Sequence, residues 1–169
     1  MPCVPISEGE STKMSKDCGL YLATKPIPAG DEFIAPPRLV YYHNHSQQGG
    51  SMVVLPGSNE HNRWSFSEKG FLVENKDFID GLVPLKREGL YRVREHFHPN
   101  EEQVVDKDAL VQLGYNGVGE PIIFFPTAIK GQNALEFPTS GMRIPSNIYD
   151  LLEPLDLKGA YVPEIKHVH

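Results

Sequence analysis

Two histidines and a glutamate are the first residues in this chain whose types and spacing could support chemistry. They occur as His96-x-His98-x-x-x-Glu102 within the stretch REHFHPNEEQ. Two imidazoles and a carboxylate suit a divalent metal such as zinc or iron. A metal site needs three or four convergent ligands, and this motif supplies at most three. An enzyme built on it would contain stoichiometric metal and lose it when His96 is replaced by alanine.

The spacing HxHxxxE resembles the first motif of cupins. The resemblance implies a cupin-like metal-dependent enzyme that uses His96, His98 and Glu102. Cupins also carry a second motif with a glycine and a further histidine, whereas residues 110 to 166 contain no histidine. A loop with two solvated histidines is therefore the preferred interpretation, and the cupin-like enzyme is the alternative.

Other arrangements of reactive residues are weaker. The remaining histidine pairs, at His43/His45 and His167/His169, are expected to be solvated polar residues in a turn and in a terminal tail. The two cysteines, Cys3 and Cys18, have no basic neighbours that would lower the pKa of a thiol. The chain has no G-x-S-x-G elbow and no glycine-rich phosphate loop. We therefore predict no catalytic residue and no cofactor.

Charge and hydropathy exclude further classes of function. The chain of 169 residues has a net charge of −6 and no cluster of Lys and Arg, so nucleic acid is a poor ligand. No apolar run approaches the roughly 20 residues of a membrane-spanning helix. The first residues lack the apolar core of a secretory signal, so a cytoplasmic location is expected. Docking at a membrane is then expected only through a partner.

The chain contains an internal repeat of about 70 residues. Gly19-Leu20-Tyr21 recurs as Gly89-Leu90-Tyr91, and at an offset of 70 or 71 several glycines, prolines and apolar residues also coincide. These types are restricted by turn geometry and packing. We predict a polar N-terminal tail (1–18), a first unit (19–88), a second unit (89–158) and a C-terminal tail that starts like a third unit (159–169).

One unit reads as a series of short strands. In the second unit Gly89–Val93 begins a strand, a long polar loop follows over 94–108, and strands are predicted from Ala109, Pro121, Ala134, Met142 and Glu153. Ser146 and Asn147 are expected to cap one helical turn over 148–152. No segment has ten residues of helical periodicity, so the predicted class is all-β.

This order of elements resembles the SH3-like barrel. The resemblance covers both units and implies two tandem small barrels. The SH3 domains that bind proline-rich peptides carry an aromatic cluster on the long loop and the strand before it, whereas each unit here has only Tyr21 or Tyr91 there. Recognition of proline-rich peptides at that site is therefore not implied.

Aromatic residues provide the candidates for an interface. Tyr41 and Tyr42 are consecutive on a predicted strand, so one must face the core and the other solvent. Tyr161 lies in the incomplete third unit. Trp64 has Leu135 as its counterpart, and we expect it in the core of the first barrel.

The sequence therefore favours a non-catalytic scaffold or interaction protein. The hypothesis is an accessory subunit that binds and stabilises a larger protein assembly, for example on the cytoplasmic face of a membrane complex. The connection between the units, Lys86-Arg87-Glu88, is short, which predicts a fixed arrangement of the two units.

Overall fold

The fold consists almost entirely of short antiparallel strands. A computed structural model describes residues 16–67 and 70–155. The elements of the first half are β1 (Gly19–Ala23), β2 (Ile27–Ala29), β3 (Glu32–Ile34), β4 (Arg38–His43), β5 (Met52–Val54), β6 (Pro56–Glu60), β7 (Arg63–Phe66), β8 (Phe71–Leu72), α1 (Lys76–Asp80) and β9 (Val83–Pro84). The elements of the second half are β10 (Gly89–Val93), β11 (Phe97–Asn100), β12 (Gln103–Val105), β13 (Leu110–Tyr115), β14 (Pro121–Phe124), β15 (Thr127–Ala128), β16 (Leu135–Glu136), β17 (Met142–Arg143), α2 (Ser146–Tyr149) and β18 (Leu152–Pro154). The protein is all-β.

Each half contains one five-stranded antiparallel sheet. The strand order is β8-β5-β4-β1-β9 in the first half and β17-β14-β13-β10-β18 in the second. Gly19 pairs with Tyr42, and Gly89 pairs with Leu113, so the two sheets also share their register. Tyr42 and Leu113 therefore occupy the same place in the two sheets.

The segment over 94–108 contains regular structure, contrary to the prediction of a long loop. It forms the hairpin β11–β12, and β2–β3 is its equivalent in the first half. The reason is alternation: Phe97 and Ile27 are buried at equivalent positions, while both neighbours of Phe97 are exposed. The strand β11 was not predicted because only one of its apolar residues enters the core and the residues beside it are polar.

The helical turn of the second half also differs from its prediction. Helix α2 begins at Ser146 after Pro145 and has no side-chain cap, whereas we expected Ser146 and Asn147 to precede it. In the first half, the Asn75 side chain accepts hydrogen bonds from the amides of Asp77 and Phe78 at the start of α1. Pro145 itself occupies the N-cap position with an extended backbone, and proline has no side-chain oxygen that could accept a hydrogen bond from the first turn.

Two hydrophobic cores lie beneath the sheets. One is built from first-half residues such as Tyr42, Val53 and Leu82. The other contains second-half residues together with Leu20 and Leu39, which are 9% and 0% exposed. Alternation places these two leucines on the face of the first sheet opposite to Tyr42. The second half thus covers part of the outer face of the first sheet.

An equivalent tyrosine in each half binds the segment that leads into the sheet. Tyr21 donates a hydrogen bond to the carbonyl of Asp17 at 2.8 Å, and Tyr91 donates one to the carbonyl of Arg87 at 2.6 Å. Burial raises the pKa of both phenols, that of Tyr91 to about 12. Both rings are therefore neutral donors at physiological pH, and each fixes the chain that enters its sheet.

Glycine is required at one equivalent position in both halves. A Cβ on Gly141 would lie 2.6 Å from the carbonyl oxygen of Ile123, and a Cβ on Gly70 would collide with the carbonyl oxygen of Val53. Real Cβ atoms do not approach a backbone oxygen this closely. The two glycines therefore allow the chain to pass against the equivalent strands β5 and β14.

We predict that Gly141→Ala lowers the free energy of unfolding by on the order of 2 kcal/mol, because the added methyl group must displace backbone. Urea denaturation would measure the loss. Gly117→Ala is the matched control, since a Cβ there would meet nothing within 4 Å. Equal stabilities of the two variants would contradict the close approach.

Candidate functional site

The predicted metal ligands lie at the hairpin β11–β12, with His96 directly before β11, His98 on β11 and Glu102 in the turn, and all three are exposed. His96 and His98 have ring centroids 6.0 Å apart with nearly perpendicular planes. The Nδ1 atom of His98 lies 3.2 Å from the carbonyl oxygen of Gln103, and the Glu102 amide donates to the Asn100 side chain. Among residues 16–67 and 70–155, no three His, Cys, Asp or Glu side chains are grouped closely enough to hold a metal ion.

The alternation of the strand explains the HFH sequence. Phe97 is 6% exposed and belongs to the second core, which directs the histidines on either side toward solvent. The exposure of both histidines therefore follows from the buried phenylalanine between them.

The two halves are joined by the hairpin β6–β7 of the first half. Its turn consists of His61 and Asn62, which both have positive φ (52° and 64°), as a two-residue hairpin turn requires. The Asn62 side chain is buried and donates to Gln112 Oε1 at 2.8 Å and to the carbonyl of Pro138 at 2.9 Å. Gln112 in turn donates to the carbonyl of His61 at 2.9 Å. All of these bonds except one connect the turn to β13.

Trp64 belongs to this joint and not to the core of the first half, so the sequence-based prediction was wrong. Its indole Nε1 donates to the carbonyl of Tyr115 at 2.7 Å, and its ring packs against the core of the second half. The physical reason is that β6–β7 pairs only with itself and extends beyond the first sheet. Trp64, on this hairpin, therefore packs against the second half, which the hairpin contacts.

The connection between the halves is held by further hydrogen bonds. Tyr115 donates to the carbonyl of Lys86 at 2.7 Å, and the Lys86 amide donates to the Tyr149 hydroxyl at 2.7 Å. Glu88 accepts from the Trp64 amide at 3.0 Å, while its second oxygen is buried without a hydrogen-bond partner within the described ranges. Burial raises the pKa of Glu88, and Arg63 and the Trp64 amide oppose this effect.

The hairpin β6–β7 contacts the outer face of the second sheet at a position that has no side chain. A Cβ on Gly114 would lie 2.9 Å from the carbonyl oxygen of Asn62, so glycine is what lets the turn approach β13. Gly114 pairs with Ile122, and Ile122 pairs with Arg143. The same row in the first sheet reads His43, Met52, Leu72.

That row of the first sheet lies in a cleft of about 770 Å³. The rings of Phe66, Tyr41 and His43 follow one another along it, with centroids 5.5 Å and 4.8 Å apart. None of the described residues that line the cleft is Asp, Glu, Lys or Arg; they are Tyr41, His43, Ser46, Gln47, Gln48, Met52, Phe66, Ser67, Gly70 and Leu72. The cleft is apolar and aromatic at its floor and carries uncharged polar groups along one side.

Polar groups at one end of the cleft are closely packed. Burial lowers the pKa of His43, and the nearby His45 lowers it further, so His43 is neutral at pH 7. The Sγ atom of Cys18 lies 3.4 Å from Asn44 Oδ1 and 3.9 Å from His45 Nδ1. The Ser46 hydroxyl is buried and has no hydrogen-bond partner in the described parts of the chain.

The tyrosines selected from the sequence lie in different environments. Tyr42 is fully buried, and Tyr41 is half-buried in the cleft wall. Tyr161 lies outside the described residues. Alternation along β4 thus sends one of the two consecutive tyrosines into the core and the other to the cleft.

Comparison with known proteins finds no matching family model, no similar curated protein and no similar solved structure. Within the described ranges, no helix has the length and hydropathy needed to cross a membrane.

Sequence reasoning missed the joint and the cleft. A signal for the joint was present, because a glycine inside the strand LVQLGY indicates that another backbone approaches. The cleft had no such signal, since its residues come from β4, β5, β7, β8 and the loop after β4. Only the pairing of those strands brings His43, Met52 and Leu72 into one row.

We predict that Asn62→Ala lowers the free energy of unfolding by about 2 kcal/mol, because it leaves buried acceptors on Gln112 and Pro138 without a donor. Asn133→Ala is the matched control. Asn133 is its counterpart in the repeat but is exposed, so its loss should cost less than about 0.5 kcal/mol. Chemical denaturation measures both, and equal effects would show that Asn62 does not hold the joint.

The raised pKa of Glu88 leads us to predict that the stability of the protein depends on pH. Because its pKa is raised in the folded state, folding favours the protonated carboxyl. This contribution is fully present below the unfolded pKa and is lost as pH rises through the folded pKa. The stability of Glu88→Gln relative to wild type should therefore increase as pH rises from about 4.5. Denaturation at several pH values tests this, with Glu95→Gln, at an exposed position, as control; an unchanged difference would contradict a buried carboxylate.

Proposed function

We propose that this chain is a non-catalytic interaction protein built from two tandem SH3-like barrels, residues 19–88 and 89–158, that binds an extended protein segment in the cleft of the first barrel. The equal strand orders and registers of the two sheets support the tandem arrangement. The bonds at Lys86, Glu88 and Asn62 support a fixed orientation between the barrels.

One observation carries this proposal. The outer face of the second sheet already binds a protein segment, namely the turn of β6–β7 with Asn62 and Trp64. The cleft occupies the same row of the first sheet. The row that binds a protein segment in the second barrel therefore lines a cleft in the first.

The occupant of the cleft must differ from a hairpin like β6–β7. His43 stands where Gly114 admits the Asn62 carbonyl in the second barrel, so a backbone cannot come equally close. Leu72, which is 41% exposed, stands in place of Arg143. An extended segment with apolar side chains and no charge suits these replacements, because its side chains can contact the aromatic row while its backbone stays farther away.

In this proposal the natural partner is a subunit of a larger assembly, and this chain stabilises it as an accessory subunit in the cytoplasm. The net charge of −6 favours a protein partner over nucleic acid. Any contact with a membrane would then come through that partner.

Leu72→Arg tests the cleft, because it introduces the counterpart residue of the second barrel and a charge into a wall whose described residues are uncharged. We predict that affinity purification from native cells under mild conditions recovers a stoichiometric partner with wild type. With Leu72→Arg its affinity should fall at least about tenfold, which corresponds to roughly 1.4 kcal/mol. Mass spectrometry identifies the partner, and titration of the purified pair measures its affinity.

Val104→Arg is the control, since Val104 is 53% exposed on a hairpin of the second barrel. It should leave the affinity unchanged. Equal binding by wild type and Leu72→Arg would refute the cleft as the binding site. Stoichiometric metal in the purified protein, lost in His96→Ala, would instead favour the enzyme.

A further inference from the structure

We propose that the first six residues of this same chain, Met1–Ile6, bind in the cleft of the first barrel and compete there with the partner. This inference rests on the proposed function, in which the cleft accepts an extended apolar segment. It adds a specific occupant and a means of regulation. Four properties of the chain support it.

The first property is the place where the described chain begins. Cys18 precedes β1, and the Asn44 amide lies 3.4 Å from its Sγ atom. Asn44 follows His43, and His43 lines the cleft. Cys18 therefore lies beside the end of β4 that reaches the cleft. Residues 1–15 therefore join the barrel beside the end of the cleft that contains Ser46.

The second property is the length of the segment. Fifteen residues separate Lys16 from the start of Met1, and an extended chain of that length reaches up to about 50 Å. Ser7 to Ser15, SEGESTKMS, is polar and contains one glycine and no proline. Polar sequences that contain glycine and no proline are commonly used as linkers between binding elements. The apolar residues at its far end can therefore reach every residue of the cleft.

The third property is the chemistry of the two surfaces. Met1–Ile6 reads MPCVPI and contains no charged or polar side chain other than a thiol. The cleft floor is aromatic and aliphatic, and its described lining is uncharged. The charged residues of the N-terminal segment begin only at Glu8. The two apolar, uncharged surfaces of this region thus lie within reach of each other.

The fourth property concerns the backbone of the segment. Pro2 and Pro5 restrict φ and favour an extended conformation, which lowers the entropy lost on binding. Proline has no N–H group, so burial of these residues leaves two fewer donors to satisfy.

The consequence is competition between a tethered segment and a free partner. A short flexible tether produces an effective concentration in the millimolar range. A weak contact of the segment therefore suffices to occupy the cleft for much of the time. A partner must displace it, so variants with a weakened segment should bind the partner more tightly. Val4→Glu combined with Ile6→Glu should increase that affinity several-fold.

Disulfide trapping in the full chain tests the position of the segment. The chain has two cysteines, so Cys18→Ser leaves Cys3 as the single native thiol. In this background Leu72→Cys places a thiol in the cleft, and Val104→Cys places one at a comparably exposed site on the second barrel. Oxidised glutathione is added at low protein concentration, and mass spectrometry of tryptic fragments quantifies the disulfide with Cys3.

We expect Cys3 to join residue 72 within one chain at least about tenfold faster than it joins residue 104, reflecting a high effective concentration at the cleft. Addition of Val4→Glu and Ile6→Glu should abolish the difference. Equal rates for residues 72 and 104 would overturn the inference. So would a disulfide that joins two different chains, which mixtures of isotopically light and heavy protein reveal, because the occupant would then be a second copy.

The two proposals fail in distinguishable ways. If trapping shows no preference for residue 72 while Leu72→Arg still loses the partner, only the intramolecular segment is refuted. If trapping succeeds while Leu72→Arg binds the partner normally, the segment occupies the cleft but the partner binds elsewhere.

Discussion

The docking of one hairpin onto a neighbouring sheet determines much of this structure. Asn62 and Gln112 exchange buried hydrogen bonds across the joint, and Trp64 donates to the backbone of the strand that receives it. A buried amide that loses its partner costs about 1 to 3 kcal/mol, so these groups permit one arrangement of the two halves and oppose others. The root of the same hairpin supplies Phe66 to the wall of the cleft. The joint and the cleft therefore share the hairpin β6–β7.

The two sheets share a framework but differ on their outer faces. In the second sheet, Gln112 offers hydrogen bonds and Gly114 leaves room for a backbone, which suits a turn of the same chain. In the first sheet, Tyr41 and His43 make the equivalent positions aromatic and leave a cleft. The inner faces of the two sheets resemble each other more, since both are apolar. The two sheets therefore differ most in their outward-facing residues.

Local patterns in the sequence were sufficient for some features and insufficient for others. Alternation predicts the all-β class, the strand that became β13 and the opposite orientations of Tyr41 and Tyr42, because each depends on the period of a single strand. It fails for the hairpin over 94–108, where only Phe97 marks the buried face among polar neighbours. It also fails for Trp64, whose environment is a strand about 50 residues away in sequence. Contacts between elements that are distant in the chain leave no periodic trace, except where a glycine such as Gly114 interrupts a strand.

The central claim is that the hairpin joins both halves into one cooperative unit, and native-state hydrogen exchange in increasing urea tests it most directly. The slowest amides of β4 and of β13 should open with the same free energy and the same dependence on urea, that of the whole described fold. Opening of β4 with a smaller urea dependence, while β13 remains protected, would show two independent domains and would contradict the account.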